Sequence, residues 1–509
     1  MGVLLLARGV LFGQTSATTP SPSDAVVTAA VRELQQQVVE LRAAVAEMRS
    51  EAAQYRAETG ELRRELQAMR GQPENSSFQA TPYTATSPQG ASTSGAVTSA
   101  AQAKSTVEQR VANLEEATQL LDSKLQDQYQ TKIESASKYR VRLSGIVLMN
   151  LFSNRGTTDN QDIPSIVYGP NQGNGSFGAT LRQSEIGLEV FGPTLWGAKT
   201  SANLQADFAG GFPGTWNGVN SGIFRLRTAS ARLDWSNTSL VVGQDDLFVS
   251  PLSPTSFASL AVPAFNYAGN LWAWTPQVRV EHRFALSDSQ SVRVQAGILD
   301  NLTGEFPADP YFRAAGPGEA SGQPAYGLRT SWTTGFFGKP LTLGTAGYYS
   351  RQNWGLGHFV DGWAGMADWD IPLFSRFSLS GEFYRGRAVG GIGGGISQSV
   401  FLLGPQGVLS TPVRGLDSRG GWSQVKFRAT SRVEFNIGVG VDDPTASEVR
   451  IAAGNEPVYD QNRSALVNFV YRPRSNLLFS AEYRHLQTFD PYNSNNSAQQ
   501  VNMMMGVLF

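Results

Sequence analysis

The sequence predicts an all-β transmembrane barrel of about sixteen antiparallel strands, preceded by an α-helical coiled-coil arm. Three observations carry this expectation. From Tyr139 onward apolar and polar residues alternate at period two, the pattern of strands with one oily and one wet face. The connections between those strands alternate short and long, as in a barrel whose two ends meet different compartments. Before Tyr139 the period is 3.5, the spacing of a helical seam. Domain boundaries are expected at 1–17, 24–70, 71–104, 105–137 and 138–509.

Composition bounds the alternatives. The chain has 509 residues, 41% of them hydrophobic and only 16% charged, with 53 glycines, which suits turn-rich β structure. No run approaches the ~18 to 20 apolar residues of a spanning helix. A membrane barrel gives that same hydropathy, because its lipid-facing and lumen-facing residues cancel in any window. The absence of cysteine excludes disulfide frameworks, thiolate catalysis and zinc–thiolate sites. A formal net charge of -1 argues against a nucleic-acid partner.

In chain order, Val3 to Phe12 is a short apolar run followed by Gly13-Gln14-Thr15-Ser16-Ala17. It reads as the tail of a secretory signal cleaved near Ala17. The basic flank such signals carry is missing, so translation is expected to begin upstream of Met1. From Val31 the sequence falls into heptads. Val31, Val38, Val45, Ala52, Thr59 and Leu66 take one core position; Leu34, Leu41, Met48, Tyr55, Leu62 and Met69 take the other. Glu51 and Glu58 stand five residues before Arg56 and Arg63, the interchain pairing of a parallel coil. At ~1.5 Å per residue this coil spans roughly 60 Å. The core residues leave two strands or three open. A Ser/Thr/Pro-rich linker with Pro73, Pro82 and Pro88 follows, then a shorter heptad run through Val107, Val111, Leu114, Leu121 and Leu125.

Sixteen strands are expected near 139–152, 180–191, 198–208, 223–235, 238–247, 275–284, 291–299, 324–333, 341–350, 360–371, 377–384, 421–429, 433–441, 463–471, 477–486 and 500–509. In the clearest, Ala198, Thr200, Ala202, Leu204, Ala206 and Phe208 face one way and Lys199, Ser201, Asn203, Gln205 and Asp207 the other. Long connections cover about 153–179, 248–274, 300–323, 385–420 and 442–462; between them lie turns as short as Ser236-Asn237. An even strand number puts both barrel ends, and the arm, on the short-turn side. Trp196, Trp235, Phe284, Trp332, Phe336, Phe337, Phe374 and Phe377 cluster beside the short turns, where an aromatic girdle at headgroup depth would lie.

The last stretch alternates to its end, with Val501, Met503, Met505, Val507 and Phe509 on one face. It resembles the closing strand of bacterial outer-membrane barrels, so Phe509 is an assembly candidate. It should pair with the strand that starts at Tyr139, leaving no open edge.

The polar phase of the strands carries the pore-lining candidates Arg140, Arg142, Arg182, Lys199, Arg232, Arg279, Arg283, Arg293, Arg329, Lys426, Arg428 and Arg484. Arginine's planar fork of donors suits carboxylate and phosphate, which points to anionic solutes. The same face holds Asp207, Asp234, Glu281, Asp368, Glu382, Glu434 and Glu482. The alternative is therefore that the arginines pair with these carboxylates and structure the lumen. The connection after the fifth strand is too apolar to lie free in water and is expected inside the barrel. Its constriction candidates are Asp245, Asp246, Phe257, Phe265, Tyr267, Trp272 and Trp274. It resembles the inward-folded third extracellular loop of sixteen-strand general porins.

Tyr139-Arg140-Val141-Arg142-Leu143-Ser144-Gly145 after a coiled arm, Gly243-Gln244 before the long loop and Pro276-Gln277-Val278-Arg279 after it make the resemblance more specific. Together they are similar to the DcaP-like dicarboxylate porins, related to phosphate-selective porins O and P. The resemblance implies a homotrimer in the bacterial outer membrane, an arm in the periplasm and diffusion of small anions such as dicarboxylates. The partners it implies are outer-membrane lipid, lipopolysaccharide, the barrel-assembly machinery and other copies of the chain. The first coil and the linker have no counterpart in it.

No cofactor, metal or enzymatic activity is expected. His282, His358 and His485 lie on distant segments and form no nucleophile–His–acid spacing. The run Gly390 to Gly395 lacks a following Lys-Ser or Lys-Thr, and Asp442-Asp443 reads as a solvated turn. Three other functions compete with the anion channel: an envelope tether anchored by the barrel, a barrel enzyme such as an outer-membrane lipase or protease, and a sugar-selective porin.

Overall fold

The structure is a computed structural model that describes residues 132–134, 139–169, 175–211, 222–305, 313–405, 408–452, 459–491 and 495–509. Contacts divide the chain into Met1–Lys124 and Leu125–Phe509, and every described residue belongs to the second unit. The signal, the first coil and the linker expected from the sequence lie outside the described residues.

Sixteen antiparallel staves form one closed sheet. They are β1 (Arg140–Arg155), β2 (Ser176–Thr180 and Glu185–Phe191), β3 (Lys199–Asp207), β4 (Arg225–Asp234), β5 (Thr238–Asp246), β6 (Trp274–Ser287), β7 (Gln290–Leu299) and β8 (Ala325–Phe336). The second half is β9 (Lys339–Asn353), β10 (Phe359–Pro372), β11 (Phe377–Arg387), β12 (Asp417–Arg428), β13 (Val433–Pro444), β14 (Gln461–Arg474), β15 (Leu477–Phe489) and β16 (Asn495–Leu508). All sixteen expected strands are present, most of them longer than expected at the end carrying the long loops. The second is broken at 181–184, and both its pieces pair with β1.

The barrel is inside out relative to a soluble protein. Outward Ile437 and Met503 are 61% and 60% exposed, while inward Asn150 and Asn436 are fully buried. Such a surface is stable only where the surroundings are apolar. Its short-turn end carries the aromatic belt. Phe336, Phe337, Phe374, Phe377, Phe427, Phe435 and Phe469 form an unbroken chain of ring contacts, with centroids 4.4 to 6.5 Å apart. The other girdle residues read from the sequence, Trp196, Trp235, Phe284 and Trp332, are exposed as well.

Closure is where the last strand placed it. β16 pairs with β1 from Ile146↔Leu508 to Arg155↔Gln499. Phe509 adds a rung by exchanging main-chain hydrogen bonds with Gly145, at 2.9 and 3.1 Å. Its ring lies over Gly145, where an added Cβ would meet the Phe509 ring at 2.6 Å.

β1 starts below that rung, so the backbone of Arg140 to Arg142 would present an open edge. The three-residue strand Lys132–Glu134 covers it, pairing Lys132 with Arg142 and Glu134 with Arg140. This corrects the expectation of helix through residue 137: an unpaired edge at a barrel rim is costly, and extended backbone is what satisfies it.

The long connections share one end: L1 (156–175), L2 (208–224), L3 (247–273), L4 (300–324), L6 (388–416) and L7 (445–460). L5 (354–358) and L8 (490–494) share that end too but are as short as the turns opposite, so the long–short rhythm is less strict than the sequence suggested.

Candidate functional site: the lumen and the loop that crosses it

L3 enters the barrel and is held by side chains of the wall on several staves. Glu382 on β11 accepts from the Leu252 N–H (2.8 Å), the Ser250 hydroxyl (2.7 Å) and the Asn270 amide (3.1 Å). On β12, Gln424 accepts from the Thr255 N–H at 2.9 Å; on β14, the Asn468 amide donates to the Thr255 carbonyl at 2.8 Å. Further round, Glu482 on β15 accepts from the Ser256 hydroxyl at 2.6 Å. In the break of β2, Gln183 accepts from the Leu260 N–H and donates to the Ala258 carbonyl, at 2.8 and 2.9 Å. Loop backbone would otherwise have been buried without partners, and these amides and carboxylates satisfy it.

Apolar contacts complete the attachment. Phe265 is fully buried against Trp422, with ring centroids 6.3 Å apart. Its slot exists because inward Gly438 and Gly440 on β13 have no side chains. A Cβ on Gly440 would meet the Phe265 Cγ at 2.9 Å and the Ala268 carbonyl at 2.3 Å. Ala258, Phe257 and Leu260 pack on inward Ile146, Leu148 and Met504. The apolar residues in the inward phase of β1 and β16 thus face the loop.

This packing divides the lumen. Most inward side chains of β11 to β16 are buried beneath L3 or L6, whereas several of β3 and β4 stay open: Lys199 and Gln205 are exposed, Ser201, Asn203 and Arg232 half-exposed. A cavity of about 410 Å³ lies along L3 beside Arg227, Asp246 and Trp274.

The twelve basic candidates sort into two groups. Eight are held by carboxylates. Arg329 pairs with Asp368 (2.7 Å), Arg279 with Asp245 and Glu281 (both 2.8 Å), and Arg484 with Glu482 (2.6 Å). Arg232 reaches Asp234 at 2.7 Å and Glu281 at 3.3 Å, and Arg182 meets Asp162 of L1. Lys426 and Arg428 share Glu434 at 3.6 and 3.3 Å, and Arg142 bonds Glu189 at 2.9 Å. Arg182, Arg279, Arg329 and Arg484 are buried, so they do not line open water as the sequence pattern suggested; Asp162 of L1 neutralises the first and strand carboxylates the other three. The remaining four, Arg140, Lys199, Arg283 and Arg293, have no ion pair among the described residues. All four lie toward the short-turn end, and Arg283 and Arg293 are direct cross-strand neighbours.

The loop candidates also separate. Asp245 serves Arg279, while Asp246 ends β5 beside the cavity. Phe257 and Phe265 are anchors. Tyr267, at φ +56°, turns the chain so that its carbonyl accepts from Asn462 at 2.8 Å. Trp272 and Trp274 stack edge to face at 5.2 Å, and the Trp274 ring carries the guanidinium groups of Arg225 and Arg227 at 4.8 and 4.7 Å. Sequence reading missed these two arginines. A register shift opposite Gln205 and Ala206 moves β4 by one residue, turning Arg225 and Arg227 inward although strict alternation puts them on the oily face.

One smaller expectation changes, and the placement of the histidines holds. Asp442 is not a solvated turn: it is buried in β13, accepting from the Tyr384 hydroxyl at 2.7 Å beneath L6. His282 and His485 lie in the outward phase of β6 and β15, and His358 lies in L5.

No protein-family model and no curated protein matches the chain. Among solved structures it is similar to the outer membrane channel DcaP of Acinetobacter baumannii, with 16% identity and a TM-score of 0.57 over 74% of this chain and 99% of that one. Looser likenesses are an anion-selective porin from Comamonas acidovorans and OprB of Pseudomonas putida. The first has 13% identity and a TM-score of 0.45, covering 73% of this chain and 100% of that one. The second has 12% and 0.46, covering 73% and 94%. The likeness to DcaP is one of fold, and it is the fold that the sequence resemblance implied.

Proposed function

We propose that this chain is a porin of the bacterial outer membrane through which small solutes diffuse, with a preference for anions such as dicarboxylates. The observation that carries the proposal is a closed, apolar-outside barrel with a polar lumen narrowed by a loop anchored across it. Solute passes between L3 and the inner face of β2 to β5. Beside that path four lumen-facing cations that have no carboxylate partner among the described residues, Arg140, Lys199, Arg283 and Arg293, gather at the periplasmic mouth. The charge filter of this reading is thus a mouth, not an arginine ladder through the waist, because wall arginines paired with carboxylates contribute little net field.

The copies associate as trimers, with the arm in the periplasm. The heptads between Val31 and Met69 support association of copies, and the sequence resemblance supports three of them and the place of the arm.

Reconstitution in planar bilayers tests the proposal. Under a KCl gradient the reversal potential is expected to shift toward the chloride equilibrium value, and dicarboxylates are expected to reduce the current more than oligosaccharides do. Folded protein without conductance would refute the porin reading. A cation-side shift would refute the anion preference alone.

A further inference from the structure

A furrow of about 920 Å³ runs along the lipid-facing side of the barrel over β10 to β15. Its floor is made by small outward residues, Gly421 and Ser423 on β12 and Ala465 on β14, and its banks by Phe383 and Val439. An outward face bounded by lipid gains from large apolar side chains, so a run of small ones leaves space that something apolar must fill.

The end of the furrow away from the phenylalanine belt is cationic. Arg385 and Arg419 are direct cross-strand partners, both exposed on the outward face, and Arg463 stands two strands further on. Arg419 bonds Asp443 at 2.9 Å; Arg385 and Arg463 have no carboxylate partner among the described residues. Arg385 lies eight residues along β11 from Phe377 of the belt. At ~3.3 Å per residue and ~40° of tilt, that is about 20 Å along the membrane normal, near the far edge of a ~25 Å apolar band. An arginine there is at headgroup depth in the outer leaflet, where its forked donors suit phosphate.

From this geometry we infer that the furrow is a binding site for a phosphorylated glycolipid of the outer leaflet, with acyl chain in the groove and phosphate on Arg385, Arg419 and Arg463. An excess of positive charge at the head of an apolar groove is complementary to an anionic lipid. A second copy of the chain would have to bring its own carboxylates to the same place.

Native mass spectrometry of the full chain in nonionic detergent tests the site, with purified bisphosphorylated lipid A and its dephosphorylated form as probes. The wild type is expected to retain the phosphorylated lipid at least tenfold better. Arg385→Gln with Arg463→Gln is expected to abolish that preference, and Ala465→Phe, which fills the furrow, to reduce retention of both forms. Unchanged single-channel conductance of the variants shows that they are folded. Equal retention of the two lipids by the wild type overturns the inference, and this arm needs no variant. So does an Ala465→Phe protein that loses its oligomeric state while retaining lipid A normally, because the furrow would then be a subunit contact.

Discussion

Replacing Phe265 by alanine isolates what L3 does. The ring is fully buried and is the apolar centre of the attachment to β12 and β13. Removing a buried phenylalanine side chain costs about 3–5 kcal/mol, and its slot cannot collapse because Gly438 and Gly440 sit in a hydrogen-bonded ladder. At ~1.4 kcal/mol per factor of ten, the ratio of anchored to released loop falls a hundred- to several-thousand-fold. The barrel itself should persist, since no ladder bond involves Phe265. Single-channel recording is the assay. The variant should show a second, higher conductance level visited as brief flicker, where the wild type shows one level. Gly440→Ala, whose Cβ would press on the Ala268 carbonyl, should act in the same direction from the wall side. A folded Phe265→Ala channel with wild-type conductance and noise would refute the reasoning, for L3 would then not be the constriction.

Other predictions separate mouth, wall, loops and seam. Arg283→Gln with Arg293→Gln should move the reversal potential toward the potassium value with little change in thermal stability. Arg484→Gln should do the opposite: it leaves Glu482 buried without its partner, at about 3–5 kcal/mol, and should lower the melting temperature while leaving selectivity alone. Deleting Phe509 should reduce the yield of heat-modifiable barrel on gels far more than it alters conductance; normal insertion with changed selectivity would contradict that. Glu305 of L4 accepts from the Ser399 and Val400 N–H groups of L6, and burial pushes its carboxyl above the ordinary value despite those bonds. Its folded pKa is the higher one, so its contribution is complete below the unfolded value and fades as pH rises through the raised one. Hydrogen exchange of L6 amides should therefore accelerate with pH beyond its intrinsic dependence in the wild type, and lose that excess in Glu305→Gln.

The strands were legible because lipid outside and water inside impose alternation on every stave, and Val501 to Phe509 announced the closing one. What escaped the sequence was whatever broke the phase or depended on a partner far along the chain. Arg225 and Arg227 were hidden by a one-residue register shift. Gln183, Gln424 and Asn468 look like ordinary lumen-facing polar residues until L3 needs their amides. The inward glycines of β13 become meaningful only beside Phe265. Charge identity was readable and charge pairing was not: Arg329 and Asp368 are two strands apart, and only the register brings them together.

The seam between β1 and β16 also fixes an order of events. Ile146 and Leu508 are about 360 residues apart, some five doublings beyond a hairpin of a dozen residues, so joining them costs about 3 kcal/mol more chain entropy than forming such a tight hairpin. Hairpins can therefore form while the chain is still arriving, but the seam must wait for β16. Until then both β1 and the growing edge are exposed templates for another chain. Lys132–Glu134 covers only the lowest rungs of β1, leaving Gly145 to Arg155 open for the strand that comes last. Closure is thus the slow step of this barrel's folding, and the interval before it is when the chain is most vulnerable to pairing with a neighbour instead of itself.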